Sequence, residues 1–124
     1  MKKPGKKRTK ILVVDDEVSI LDAIALILTD EGYEVATIAK GQETYDKVAS
    51  FTPDIILLDI LMSGKDGREI CKTLKSDSTT KHIPIIMISA HPSAGANIKS
   101  FGANAFLPKP FSTEELLQAI KAHL

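Results

Sequence analysis

Three uninterrupted apolar runs constrain the fold of this 124-residue chain more than any other feature. They are ILVV at 11–14, IILL at 55–58 and IPIIMI at 83–88. All three are short and rich in β-branched residues, and none shows the alternation of a strand that has one face in water. Such runs are typical of central strands in a parallel sheet, because helices cover both faces of that sheet. The runs therefore predict an α/β protein.

Weaker patterns between these runs complete five strands that alternate with about five helices. The additional strands are predicted at 35–38 and 105–107, and the helices at 18–31, 42–50, around 70–74, within 91–100 and from 112 onward. Pro92 and Gly95 make any helix within 91–100 short. The alternation predicts a doubly wound parallel sheet in a single domain. Right-handed crossovers then place the carboxyl ends of all strands at one edge.

Composition excludes several classes of protein. The chain has a single cysteine, so it cannot form an internal disulfide. No apolar run approaches the roughly 20 residues needed to span a bilayer, so no membrane association is expected. The N-terminus is basic and lacks the apolar core of a secretory signal. Together these features predict a cytoplasmic location.

The zero net charge hides an uneven distribution. Residues 1–10 carry six Lys or Arg and no acid, which leaves ten basic and sixteen acidic residues from position 11 onward. A nucleic-acid-binding domain usually has a basic folded part, and this one is acidic. We expect residues 1–9 to form a basic, disordered tail and residues 10–124 to form the domain. A weak electrostatic contact with a partner is the alternative role for the tail.

A polar residue follows each central strand as that strand leaves the core. Asp15 and Asp16 follow the first run, Asp59 the second and Ser89 the third, and Lys109 follows the fifth strand. Ligands bind at the carboxyl ends of the strands in sheets of this kind. We therefore expect these five side chains in one crevice, with Asp59 emerging into it rather than lying in the core.

Three carboxylates in one crevice must take up protons, a cation or both. Two unit charges about 4 Å apart interact by about 4 kcal/mol at an effective dielectric constant of 20. Lys109 alone cannot neutralise three acids, and an oxygen-only ligand set is the one that Mg²⁺ prefers. The residues therefore predict a divalent cation, Mg²⁺. An aspartate beside a metal, a lysine and a hydroxyl is suited to phosphoryl transfer, with the aspartate as nucleophile.

Six short motifs in order give the chain a family resemblance. It resembles the receiver domain of the two-component response regulators over residues 10–124. The matching motifs are DDE at 15–17, D-x-x-M at 59–62, DG at 66–67, SA at 89–90, GA at 102–103 and KPF at 109–111. The resemblance implies a flavodoxin-like strand order of 2-1-3-4-5. It also implies a phosphorylation-activated signalling switch rather than a metabolic enzyme.

The same resemblance implies roles for the acidic residues. Asp59 matches the phosphoacceptor, which takes a phosphoryl group from a histidine kinase or a histidine phosphotransfer domain. Asp15, Asp16 and Asp59 match the metal-binding carboxylates, and the backbone carbonyl of Leu61 matches a further Mg²⁺ ligand. Self-catalysed phosphoryl acceptance and slow autodephosphorylation are then the only expected reactions.

Four further residues match the switch and its surroundings. Ser89 matches the switch hydroxyl and Lys109 the phosphate-pairing lysine. Phe106 matches the aromatic residue whose rotamer reports the phosphorylated state, and Pro110 matches a proline that follows a cis peptide bond. A downstream protein would distinguish the phosphorylated and unphosphorylated states. No nucleic acid is expected to bind this domain, and a homodimer is one possible assembly.

Three departures from the family pattern affect these expectations. Ser63 stands where proline is common, which predicts a less rigid loop after the acceptor. Leu61 places an apolar side chain at the mouth of the site, where it should hinder an attacking water and prolong the life of the phosphoryl group. The chain is about two residues short between Ser89 and Gly102, so the helix there, and signalling through it, are in doubt.

Three other functions compete with the switch. A phosphatase of the haloacid-dehalogenase type would use the same nucleophile and metal, but it needs a second aspartate at the position of Leu61. A flavodoxin-like nucleotide binder would want a Gly- or hydroxyl-rich loop after the first strand, where this chain has DDEVS. An inactive receiver that serves only as a docking surface is the third alternative, and the complete set of acids, hydroxyl and lysine argues against it.

Overall fold

The computed structural model describes residues 8–91 and 98–124. Most of the predicted basic tail, and residues 92–97, lie outside this part of the chain. The strands are β1 Lys10–Val14, β2 Glu34–Ile38, β3 Ile55–Asp59, β4 Leu61–Met62, β5 Lys65–Asp66, β6 Ile85–Ser89 and β7 Ala105–Pro108. The helices are α1 Val18–Asp30, α2 Thr44–Phe51, α3 Gly67–Ser76 and α4 Thr113–Ala122, with 3₁₀ turns at Gly41–Glu43 and Ile98–Phe101.

Five of the strands form one parallel sheet in the order β2-β1-β3-β6-β7. Counted along the chain without the short strands β4 and β5, this is the predicted order 2-1-3-4-5, which is confirmed. Val14 pairs with Leu58, Asp59 with Ile88, and Ser89 with Pro108. The carboxyl ends of β1, β3, β6 and β7 therefore lie side by side at one edge.

The apolar runs form the two faces of the sheet, as both-face coverage requires. Every residue of β3 and β6 is buried. Leu12, Ile56 and their neighbours on one face pack against α2 and α3, and Ile11, Ile55 and their neighbours pack against α1 and α4. Alternate residues of a strand point to opposite faces, so each run supplies both clusters.

The described residues contain four α-helices where the sequence predicted about five. Within the expected fourth helix at 91–100, the described part shows only the 3₁₀ turn Ile98–Phe101. Phe101 packs against the cluster on the α2 and α3 face, and its carbonyl accepts a hydrogen bond from the Cys71 thiol of α3 at 3.4 Å. This turn therefore connects β6 to β7 while lying on α3.

Two local features differ from the predictions around the expected site. Strand β3 continues through Asp59, so this acid is the last residue of the strand and only 3% exposed, instead of standing out in the crevice. The loop that the sequence predicts after Asp59 contains a hairpin, in which β4 pairs with β5. Within residues 8–91 and 98–124, no helix is long and apolar enough to cross a membrane.

The first turns of α3 and α4 are held by side-chain caps. Asp66 accepts a hydrogen bond from the Arg68 backbone N–H at 2.9 Å. Ser112 and Glu115 form a reciprocal capping box at the start of α4. The cap at Asp66 places the start of α3 directly beside the end of β3.

Candidate functional site

The carboxyl ends of β1, β3 and β7 bring two acids and a lysine together. Lys109 Nζ lies 2.7 Å from Asp15 Oδ2 and 3.6 Å from Asp59 Oδ2. A third acid, Glu17, places Oε1 at 3.7 Å from the same nitrogen. Asp15 is fully buried, and the side chain of Lys109 is 10% exposed. The Lys109 ammonium thus lies beside two buried carboxylates, those of Asp15 and Asp59. Glu17, the third acid near it, had no predicted role.

Asp15 is fixed by the turn that leads from β1 into α1. Its backbone N–H donates to the carbonyl of Ile38 in β2 at 3.1 Å. Its Oδ1 accepts the backbone N–H of Glu17 at 2.9 Å, while Oδ2 accepts from Lys109. The side chain therefore has two hydrogen-bond partners, which accounts for its burial.

Asp59 is fixed by the strand and by the close approach of α3. The next residue, Ile60, donates to the carbonyl of Ile88 at 2.9 Å and accepts from the N–H of Gly67 at 2.8 Å. A Cβ added to Gly67 would collide with the Asp59 carbonyl oxygen and come within 2.9 Å of the Ile60 Cα. Only glycine allows this approach, which is a physical reason for the Asp66-Gly67 motif.

The third carboxylate, Asp16, lies at the rim of the same cluster. One carboxylate oxygen from each of Asp15, Asp16 and Asp59 lies within 4.8 Å of the other two. In a Mg²⁺ site, ligands 2.0–2.1 Å from the ion stand at most roughly 4.2 Å apart. Small side-chain movements would satisfy that geometry, and the donors are all carboxylate oxygens. The residues therefore fit the cation that their chemistry predicted.

Burial and like charge disfavour the ionised form of Asp59. Burial, followed by the negative charge of Asp15, raises the pKa of Asp59 from 3.8 to about 7, against the opposing effect of Lys109. A hydrogen bond from the backbone N–H of Leu61 also favours the charged form. Burial by itself lowers the pKa of Lys109, but the hydrogen bond to Asp15 and the neighbouring acids outweigh it and raise that pKa. The single lysine thus leaves the three carboxylates short of positive charge, which a bound divalent cation would supply.

The predicted switch residues lie on the two strands beyond β3. Ser89 ends β6 and is 1% exposed; its hydroxyl accepts the N–H of His91 at 3.1 Å, and its carbonyl accepts the N–H of Lys109 at 2.9 Å. Phe106 is half-buried, pairs with Met87 across β6 and β7, and packs on the face of α2 and α3. These contacts connect the site to β7.

The last two predicted positions flank the cluster. The peptide bond between Lys109 and Pro110 is cis. Leu61 lies in β4, pairs with Asp66 and is 51% exposed. Besides Glu17, the sequence analysis missed the backbone N–H of Ser63, which donates to Asp16 Oδ2 at 2.8 Å. No residue type signals such a backbone donor, whereas Glu17 was visible within the DDE motif.

Comparisons with known proteins agree with this arrangement. The family model of the response regulator receiver domain matches residues 11–121. Chemotaxis protein CheY4 of Vibrio cholerae is similar in structure, with a TM-score of 0.89 and 35% identity over 95% of this chain and 100% of that one. A putative response regulator from Chloroflexus aurantiacus has a TM-score of 0.88 and 34% identity over 94% of this chain and 97% of that one. NtrX from Brucella abortus has a TM-score of 0.87 and 32% identity over 95% of this chain, and the match covers 27% of the NtrX chain.

The chain belongs to the response regulator receiver domain family. It has the fold of the CheY-like receivers, which are phosphorylation-dependent signalling switches and are generally not classed as enzymes. Receiver domains generally bind Mg²⁺ at an acidic pocket, and Asp15, Asp16 and Asp59 form a cluster that could hold such an ion.

Proposed function

We propose that this domain accepts a phosphoryl group on Asp59 in a Mg²⁺-dependent reaction and relays the change through Ser89 and Phe106 to a partner surface. The donor is a phosphohistidine of a histidine kinase or a histidine phosphotransfer domain. One observation carries the proposal: Asp59 is a buried carboxylate 3.6 Å from Lys109 Nζ, with two more carboxylates within reach of a single cation. A purely structural acid at a strand end needs neither neighbour.

The transfer step exchanges one bond to phosphorus for another. An Asp59 carboxylate oxygen attacks the phosphorus and forms an O–P bond. The P–N bond of the phosphohistidine breaks, and its electron pair returns to the imidazole nitrogen. Asp59 must be ionised to attack, and Lys109, whose ammonium lies 3.6 Å away, favours that form. Lys109 is also placed to pair with an oxygen of the transferred group.

The metal site is proposed to consist of Asp15, Asp16, Asp59 and the backbone carbonyl of Leu61. When bound, Mg²⁺ supplies positive charge that offsets the carboxylates and the charge on the phosphoryl oxygens. Asp15 is held by Glu17 and Lys109, and Asp16 is held by Ser63, so the chain itself orients two of the three acids. Orientation before binding reduces what the cation must reorganise.

The relay begins with the hydroxyl of Ser89. A phosphoryl group on Asp59 adds strong acceptor oxygens at the edge where β6 ends, and a serine hydroxyl can donate to one of them. Because the Ser89 carbonyl accepts from the Lys109 backbone, a movement of Ser89 reaches β7. Phe106 lies on β7 and is half-buried, so it can repack inward. The partner can then shift the equilibrium between the two states by no more than its differential affinity for them.

A downstream protein is the proposed reader of this change, and the cytoplasm is the proposed location of the domain. The basic tail at 1–9 and the domain at 10–124 stay the proposed division of the chain. The described cluster also disfavours a phosphatase of the haloacid-dehalogenase type. Leu61 stands where that mechanism needs an acid, and it is 51% exposed at the surface.

Phosphorylation by a small-molecule donor tests the proposal. The purified chain is incubated with phosphoramidate, with Mg²⁺ or with a chelator, and the intact mass is measured. We expect one phosphoryl group per chain in the presence of Mg²⁺ and none in Asp59→Asn. Asp46→Asn, which changes an exposed aspartate on α2, is the matched control and should label like the wild type. Labelling of Asp59→Asn, or equal labelling in chelator, would refute the assignment.

A further inference from the structure

The turn of the β4–β5 hairpin contacts the rim of the acidic cluster, at Asp16, through a backbone group. The N–H of Ser63 donates to Asp16 Oδ2 at 2.8 Å and joins residues that are 47 positions apart. Asp16 makes this bond in the same arrangement in which its carboxylate lies within 4.8 Å of Asp15 and Asp59. The hydrogen-bonded orientation is therefore close to the one that a shared cation needs.

We propose that the Ser63 N–H is a positioning group of the metal site, which holds the Asp16 carboxylate in the cluster before the cation binds. The inference rests on the proposed function, because it takes the cluster to be a Mg²⁺ site. Asp16 is only half-buried and stands beside two other acids, so repulsion alone would turn it toward solvent. A charge-assisted hydrogen bond opposes that rotation and leaves the second oxygen of Asp16 free to coordinate.

The geometry of the turn allows a substitution at position 63 that removes the N–H and keeps the backbone conformation. Ser63 and Gly64 are the central residues of a turn closed by the pair Met62 and Lys65. Gly64 has φ 79°, and among the described non-glycine residues only Thr52 has positive φ, so φ of Ser63 is negative. These signs of φ match those of a type II turn, whose second position favours proline.

Two substitutions at position 63 therefore form a matched pair. Proline suits the backbone of the turn and lacks the N–H. It also restricts the unfolded chain, so Ser63→Pro has no reason to lose stability apart from the lost bond. Alanine keeps the N–H and removes only an exposed hydroxyl. Any difference between the two variants in cation binding then reports on the N–H.

The primary measurement is the dissociation constant of Mg²⁺ by titration calorimetry for the full chain and both variants, with a thermal unfolding curve for each. We expect Ser63→Ala to bind like the wild type and Ser63→Pro to bind about threefold to tenfold more weakly, which corresponds to the net contribution of one typical hydrogen bond. Unfolding temperatures should not fall in parallel. Equal affinity of the two variants, or tighter binding by Ser63→Pro, would overturn the proposal.

A second measurement does not depend on either variant folding. Hydrogen exchange of the Ser63 amide in the metal-free chain should be faster in Asp16→Ala than in the wild type, because the acceptor is gone. Identical exchange would show that the bond is not made in solution, and the inference would fall. That result would not contradict the proposed function, which predicts Asp59 labelling and Mg²⁺ binding by the wild type whether or not this bond forms. A wild-type chain that binds no Mg²⁺ would instead overturn the proposed function together with this inference.

Discussion

Replacing Asp59 by asparagine should stabilise the metal-free protein, and should do so more strongly at pH 8 than at pH 5. Burial and the charge of Asp15 raise the pKa of Asp59 from 3.8 to about 7 in the folded chain. In the unfolded chain the Asp59 carboxyl is solvated and keeps its ordinary pKa of 3.8. Ionisation of Asp59 is therefore less favourable in the folded state than in the unfolded state. Stability is therefore lost as the pH rises from about 4 to about 7, and the loss is complete above that range.

The size of the effect follows from the two pKa values of Asp59, 3.8 and about 7. Their difference corresponds to about 4 kcal/mol above pH 7, and to about 1–2 kcal/mol at pH 5, where only the unfolded chain is mostly ionised. Relaxation of the site and entry of water reduce both figures. We expect the free energy of unfolding of Asp59→Asn to exceed that of the wild type by about 2–4 kcal/mol at pH 8. At pH 5 this difference should be smaller by about 1–3 kcal/mol.

Urea unfolding in the presence of a chelator measures these free energies. Asp46→Asn is the control and should stay within about 0.5 kcal/mol of the wild type at both pH values. Mg²⁺ added at pH 8 should stabilise the wild type far more than Asp59→Asn. An Asp59→Asn variant no more stable than the wild type at pH 8, or a pH-independent difference, would refute the reasoning.

Three further substitutions test other contacts of the site. Lys109→Met removes the cation 2.7 Å from fully buried Asp15, so urea unfolding at pH 7 should show a loss of about 3–5 kcal/mol; an unchanged midpoint would contradict that pairing. Gly67→Ala forces the backbone of α3 away from Asp59 and should cost about 1–3 kcal/mol and slow phosphoramidate labelling, whereas labelling at the wild-type rate would argue against this contact. Leu61→Asn replaces a half-exposed apolar side chain two residues after the acceptor, so water should reach the phosphoryl group more easily and its decay after donor removal should quicken; a slower decay would count against this role.

The convergence of Asp15, Asp59 and Lys109 could be predicted because few physical rules determine it. Unbroken apolar runs identify strands buried on both faces, and right-handed crossovers bring their carboxyl ends to one edge. Each acid follows its run directly, so its place at the edge depends on no detail of side-chain packing. The strand order came from the family resemblance, since the apolar pattern alone does not order the strands.

Backbone interactions are what the sequence could not supply. The extension of β3 through Asp59 depends on pairing with Ile88, and the extra burial follows from that pairing. The hairpin depends on the turn at Ser63 and Gly64, which lies between β3 and α3. The bond from the Ser63 N–H to Asp16 joins a main-chain donor to a side chain 47 residues away, and every non-proline residue carries such a donor.

The chemistry at Asp59 is tested most directly by trapping the acyl phosphate where it forms. The chain is treated with phosphoramidate and Mg²⁺ and then reduced with borohydride, which converts an aspartyl phosphate to homoserine, and the peptides are sequenced by mass spectrometry. We expect homoserine at position 59 alone, and none when Mg²⁺ is withheld. Homoserine at position 15 or 16, or at 59 regardless of Mg²⁺, would contradict the account.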